Sequence, residues 1–173
     1  MARKFNRSKK LDLQIVDSFF SRKELKYWHD FIRTLAMTPK HDGKGNHFGF
    51  KKDIKIDEGT LLKIKNKFHP NKDFKQIAPC IHLRHNYEKP LVHIDFDFEY
   101  NFICYLKGPP LFNNGTGFYY GNDLSTHVGF VENRAIFFNG KDTFHTDLQA
   151  FGDSSPRYTL NVFYNEKVYG EKI

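Results

Sequence analysis

From about Gln76 onward the chain alternates between greasy and polar positions in short bursts. The runs "IHLRHNY", "LVHIDFDFEY", "NFICYLKG", "TGFYYG", "HVGFV", "AIFFNG" and "RYTLNVFYN" are aromatic or β-branched. They are separated by "EKP", "GPPLFNNG", "GND" and "GDSSP". Period-two runs broken by Gly, Pro, Asn and Asp predict many short strands. The most regular is Leu91 to Phe102. There His93, Asp95, Asp97 and Glu99 share one parity, and Ile94, Phe96, Phe98 and Tyr100 the other. As a strand it would carry one titratable face and one apolar face.

The first part of the chain reads differently. "LQIVDSFF" (Leu13 to Phe20) predicts a strand. Ser21 with Glu24 three residues on is a capping box that opens a helix, with Leu25, Trp28, Ile32 and Leu35 on one face. Pro39 is expected to end it. His41 to Phe50 reads as a glycine-punctuated loop, and "EGTLLKIKNKF" as a second, shorter helix. One or two helices followed by many strands predict a mainly β fold, a jelly-roll-like double sheet with helices packed on one side.

Composition narrows the setting. A length of 173 residues suits one domain, here expected over 11–173 behind a basic arm at 1–10. Aromatics at 17% favour strands over helices. No apolar run is long enough to cross a bilayer, and "MARKFNRSKK" lacks the apolar stretch of a signal peptide, so a cytoplasmic protein is expected. Cys80 and Cys104, both in apolar strand-like runs, read as reduced packing residues. The net charge of +7 is concentrated in the first ten residues and in Lys63 to Phe68. Such an arm could meet nucleic acid, although a solvated terminus explains it more simply. The sequence has no zinc-finger spacing, no RNA-binding aromatic signature and no repeat.

The candidate chemistry begins with His93 and Asp95. Two residues apart on a strand, they would point the same way and could chelate one metal ion. Two histidines and one carboxylate on one side of a metal form the facial triad of non-haem Fe(II) oxygenases. We take His145 as the third ligand, because it follows the apolar strand "RAIFFNG" and a short loop. The next strand opens with Arg157, followed in phase by Thr159 and Asn161. An arginine inside a strand needs an anionic partner, and its planar fork suits a carboxylate.

The order His93-x-Asp95, His145, Arg157-x-Thr159 resembles the Fe(II)/2-oxoglutarate-dependent dioxygenase superfamily in its prolyl-hydroxylase-like branch. "QIVDSFFSRKELKYWHDFI", "IHLRHNYEKPLVHID" and "NFICYLKG...GTGFYYG" resemble that branch as well, so the likeness spans about Leu11 to Asn165. The resemblance implies a double-stranded β-helix (cupin-like jelly roll) that uses Fe(II), the cosubstrate 2-oxoglutarate and O2. It implies His93, Asp95 and His145 as metal ligands, with Arg157 clamping the distal carboxylate of 2-oxoglutarate. Tyr105 matches a tyrosine that hydrogen-bonds the same carboxylate. Thr159 and Asn161 remain alternative helpers of Arg157, and Tyr87 is a candidate pocket-lining residue.

The implied reaction is hydroxylation coupled to release of succinate and CO2, on a residue of a peptide or protein or on an amino acid. The charges of Fe(II), Asp95, 2-oxoglutarate and Arg157 sum to zero, which suits a closed pocket. Asp97 and Glu99 would upset that balance and are expected at the rim. Three rival readings are a nucleic-acid-directed oxygenase of the same superfamily, a non-catalytic metal-binding jelly roll and a basic RNA-binding protein with no catalysis. The nucleic-acid-directed branch usually has a second arginine six residues after the first, where this chain has Phe163. The stretches His41 to Asp57 and Gly108 to Gly117 are candidate lids.

Overall fold

The computed structural model describes residues 11–41, 45, 47–69, 71–85, 88, 91–110, 113–148 and 156–166. The basic arm at 1–10 and Tyr87 lie outside the described residues. In chain order the elements are β1 (Leu13–Val16), α1 (Arg22–Arg33), β2 (Thr38–His41), β3 (His47–Asp53), α2 (Glu58–Phe68), β4 (Gln76–Arg84) and β5 (Tyr100–Lys107). They continue with β6 (Gly115–Tyr120), β7 (Asp123–Gly129), β8 (Ala135–Asn139), β9 (Phe144–Leu148) and β10 (Arg157–Asn165).

Helix α1 starts where its capping box predicts. The Ser21 hydroxyl accepts from the Glu24 amide, and the Glu24 carboxylate accepts from the Ser21 amide at 2.7 Å. Asp57 caps α2 in the same manner by accepting from the Thr60 amide at 2.8 Å. Lys63, midway along α2, then reaches Glu24 at 2.7 Å and ties α2 to the start of α1. The apolar faces supply Trp28 and Ile32 from α1 and Ile64 and Phe68 from α2, all buried. Each such burial is worth roughly 1.5–3 kcal/mol.

Seven strands form one antiparallel sheet in the order β1-β8-β5-β10-β4-β3-β2, and three form a second in the order β7-β6-β9. This is the expected jelly-roll double sheet. Strand parity divides its interior into two cores. Phe102, Cys104 and Leu106 of β5, with Leu160, Val162 and Tyr164 of β10, join the helices in one cluster. Ile103 and Tyr105 turn the other way and meet Phe118, Val128 and Phe130 of the second-sheet side. By the same alternation Arg157, Thr159 and Asn161 face the space between the sheets.

Several expectations need correction. The helix does not run to Pro39; it ends at Arg33 with Thr34 as its cap, and Pro39 lies in β2. A proline is tolerated there because β2 is the edge of its sheet. Within the stretch expected to be a loop, His41 closes β2 and residues 47–50 open β3, and the two strands pair. The first strand is shorter than expected and stops at Val16.

The largest departure concerns Leu91 to Phe102. Only His93 makes a bridge, Phe96 and Asp97 lie in a turn closed by the Phe98 amide on the Asp95 carbonyl (3.1 Å), and regular strand begins at Tyr100. Alternation alone could not distinguish a strand from this bridged turn, because both show a polar residue at every second position.

Among the described residues no helix is long and apolar enough to cross a membrane. Cys80 and Cys104 are free and buried, as expected. Burial pushes the Cys80 thiol up to about 12 and the Cys104 thiol higher.

Candidate active site

His93 and His145 exchange both main-chain hydrogen bonds, at 3.0 and 2.9 Å, although they lie 52 positions apart in the chain. That bridge sets the start of β9 beside the segment carrying His93. The Asp95 amide then donates to the Gly140 carbonyl at 3.0 Å. A Cβ at Gly140 would stand 3.2 Å from the Asp95 Cβ, so this approach favours glycine.

The outcome is a three-residue cluster. Ligand atoms of His93, Asp95 and His145 all lie within 4.8 Å of one another. His145 Nε2 is 3.4 Å from Asp95 Oδ2, and His93 Nε2 is 3.7 Å from Asp95 Oδ1. Donors ~2.1 Å from a shared ion at right angles stand roughly 3 Å apart, so the set is close to that needed for coordination on one side of a metal.

The ring orientations agree with that role. His93 Nδ1 is 2.7 Å from the Leu91 carbonyl, and His145 Nδ1 is 3.0 Å from the Thr143 carbonyl. A carbonyl can only accept, so each Nδ1 carries the proton and each Nε2 keeps its lone pair for an ion. Burial pushes the His145 imidazole down, against the pull of Asp95, which favours the neutral form that binds metal. Asn101 of β5 donates to Asp95 Oδ2 at 2.9 Å and fixes the carboxylate. Asn101→Ala should therefore lower Mn(II) affinity about 10–100-fold, read by calorimetric titration.

The three residues line a cavity of about 240 Å³ between the sheets. Asn101, Ile103, Thr116 and Asn161 form one part of its wall; Lys40, His82, Arg84, Asp147 and Phe163 form another. Arg157 is only 3% exposed and does not itself line the cavity. Its Nη1 donates to Asn114 Oδ1, to the Gly115 carbonyl (3.1 Å) and to the Leu148 carbonyl (2.6 Å). Its Nη2 lies 2.9 Å from Asp147 Oδ1. Nε and Nη2 are buried, and among the described residues neither has an aligned hydrogen-bond acceptor. Those two atoms form the edge of a guanidinium that takes a carboxylate at two points.

The remaining expected residues surround this arrangement. Thr159 Oγ1 accepts from Asn161 Nδ2 at 2.8 Å, so the two alternatives are joined to each other, with Asn161 facing the cavity. Tyr105 is buried against Phe130, and its hydroxyl hydrogen-bonds Thr116 Oγ1 (2.8 Å) and the Val128 carbonyl (3.1 Å).

No family model and no curated protein matches the sequence. Solved structures do match. A prolyl-4-hydroxylase from Pseudomonas putida aligns with TM-score 0.65 over 92% of this chain and 95% of its own, at 11% identity. An oxidoreductase of the 2OG-Fe(II) oxygenase family from Burkholderia pseudomallei gives TM-score 0.69, covering 90% and 85%, at 13% identity. A prolyl hydroxylase from Trichoplax adhaerens, in complex with a hypoxia inducible factor peptide fragment, gives 0.66, covering 89% and 83%, at 12% identity. The chain shares its fold with these proteins.

Within that shared fold, the polar residues left outside the cluster are informative. Asp97 is exposed, and neither it nor Glu99 lines the cavity. Glu99 accepts from the Glu166 amide at 2.8 Å instead. Asp97→Asn should therefore leave metal affinity within a few-fold of the parent; loss of metal with the fold intact would mean that Asp97 is a ligand. His127 is exposed on β7, away from the cluster.

Sequence reasoning missed Asn101, Arg84 and Asp147. Arg84 and Arg157 are direct cross-strand partners. Asp147 bridges them, at 2.7 Å from Arg84 Nε and 2.9 Å from Arg157 Nη2. Burial pushes the Asp147 carboxyl up, but Arg84 and Arg157 outweigh it and hold the group well below the usual carboxylate range. The available signal was parity: Asp147 follows His145 by two positions on one strand. Gly49 (φ +121°) has a separate role, since a Cβ there would collide with the Arg84 guanidinium.

Proposed function

We propose that the protein is an Fe(II)- and 2-oxoglutarate-dependent dioxygenase that hydroxylates a residue of a peptide or protein, or an amino acid. One observation carries the reading. A two-histidine, one-carboxylate cluster and a buried arginine with an unsatisfied two-donor edge face the same inter-sheet space. A metal-binding jelly roll without a cosubstrate has no need of that arginine.

The roles follow from the side chains. His93, Asp95 and His145 would hold the ion through two neutral Nε2 atoms and one carboxylate. Arg157 would take the distal carboxylate of 2-oxoglutarate on its Nε–Nη2 edge, because Nη1 is already committed. Asn161 and Thr159 act as one unit, the amide lining the cavity and the hydroxyl held by it. Tyr105 acts through Thr116, which reaches the cavity wall. Fe(II), 2-oxoglutarate and O2 supply oxidation of a C–H bond with release of succinate and CO2; the protein supplies position and a dry wall.

The charges of the proposed set still sum to zero, since Arg84 and Asp147 add one of each sign. The peptide bound to the Trichoplax adhaerens neighbour supports a peptide substrate. Phe163 lines the cavity and stands where nucleic-acid-directed relatives have an arginine, which disfavours that reading.

The test is anaerobic Fe(II) loading followed by 2-oxoglutarate and O2, with peptides, amino acids and oligonucleotides as separate arms. Succinate release and a 16 Da mass gain on a peptide or amino acid are expected, the gain being that of one oxygen atom. Metal binding without any succinate would leave a non-catalytic metal site, and oxidation confined to oligonucleotides would favour the nucleic-acid reading.

A further inference from the structure

Asp147 creates a conflict at the proposed cosubstrate site. It shares β9 and its inward parity with His145. Its two oxygens divide between two arginines that face each other across β4 and β10, Oδ2 on Arg84 and Oδ1 on Arg157. A carboxylate of this protein thus already lies against the arginine expected to receive a carboxylate of the cosubstrate.

The contact is incomplete in an informative way. Arg157 is fixed from behind through Nη1 by Asn114 and two carbonyls, so its orientation does not depend on Asp147. Asp147 approaches Nη2 within ion-pair distance, yet neither Nη2 nor Nε gains an aligned hydrogen bond. Its carboxylate balances charge without satisfying the fork. A ligand carboxylate presented end-on could satisfy both N–H groups at once. Asp147 also has somewhere to go, because its other oxygen lies at ion-pair distance, 2.7 Å, from Arg84 Nε, and Arg84 itself lines the cavity.

We propose that Asp147 is an internal stand-in for the distal carboxylate of the cosubstrate. It bridges Arg84 and Arg157 in the ligand-free protein, and incoming 2-oxoglutarate displaces it from Arg157 onto Arg84 alone. The proposal rests on the reading of the site as that of a 2-oxoglutarate oxygenase. Its consequence is that cosubstrate affinity is set by competition with a tethered anion, which reduces apparent affinity by the fraction of molecules in which Arg157 is free. Asp147 is then a positioning residue that tunes the cosubstrate requirement without touching the reacting atoms.

Two measurements test this on the full chain loaded with Mn(II) under anaerobic conditions. Titration with 2-oxoglutarate should show Asp147→Asn binding at least about tenfold more tightly than the parent, ~1.4 kcal/mol. Equal or weaker binding would make Asp147 a structural counter-ion and overturn the proposal. A crystal structure of the parent protein with Mn(II) and 2-oxoglutarate does not depend on the variant folding. It should show the distal carboxylate on Arg157 Nε and Nη2 and Asp147 withdrawn to Arg84. Retention of the Asp147–Arg157 contact with ligand bound would overturn the proposal equally. Absence of any 2-oxoglutarate binding by the parent would instead defeat the oxygenase reading itself.

Discussion

Alanine at His93, Asp95 or His145 should abolish Fe(II)-dependent turnover of 2-oxoglutarate and weaken metal binding by more than about a hundredfold. Loss of an outer partner of a metal ligand costs roughly 10–100-fold, and each of these changes removes a candidate ligand itself. The three supply the two free Nε2 atoms and the one carboxylate of the cluster, so among the described residues no neighbour substitutes for any of them. The control is His127→Ala. That residue is exposed on β7, and its loss should leave both quantities unchanged. Anaerobic titration with Mn(II) reads binding, and succinate release reads turnover. Metal binding that survives His145→Ala but fails in His127→Ala would mean the wrong histidine has been assigned.

Arg157→Ala should weaken 2-oxoglutarate binding at least about thirtyfold while leaving Mn(II) affinity nearly unchanged. Removing one member of a buried, hydrogen-bonded charge pair costs roughly 2–5 kcal/mol, and 1.4 kcal/mol is a factor of ten. The metal cluster is untouched by this change, so the two affinities separate. Arg157→Lys should recover only part of the loss, because a point charge cannot occupy both positions of the fork. It would also give up some of the three Nη1 contacts that orient the arginine. Unchanged 2-oxoglutarate affinity in Arg157→Ala would remove the main support for the cosubstrate assignment.

The contrast between His93 and Arg157 explains how much could be read in advance. Arg157 lies in a true strand, and alternation along "RYTLNVFYN" sorted its residues onto the correct faces. His93 and Asp95 were paired for the wrong local reason. They converge through a two-way bridge to His145 and a turn at Phe96 and Asp97, contacts between distant parts of the chain. A motif of residue order tolerates that error, because order is conserved whether the spacing is met by strand or by turn.

Capping chemistry was similarly local and legible at Ser21 and Glu24. The β2–β3 hairpin was not, because its glycines signal a turn while its pairing to β4 depends on a strand far along the chain. Asp147 escaped notice for a different reason. Its parity was visible, but the meaning of a carboxylate there emerges only once Arg84 and Arg157 are neighbours across strands.

The two buried cysteines bear on how such a protein would survive its own chemistry. Peroxide and related oxidants attack the thiolate, not the thiol. Cys80 on β4 and Cys104 on β5 sit on inner strands of the large sheet, on either side of β10, closed from solvent, with burial holding both protonated far above neutral pH. A site that handles O2 next to reduced iron leaks oxidants when a turnover miscarries. In the core of this fold both sulfur atoms are kept in their least reactive state, so under the proposed function self-inactivation should fall first on the exposed edge of the site, where the His93 side chain is 42% open to solvent.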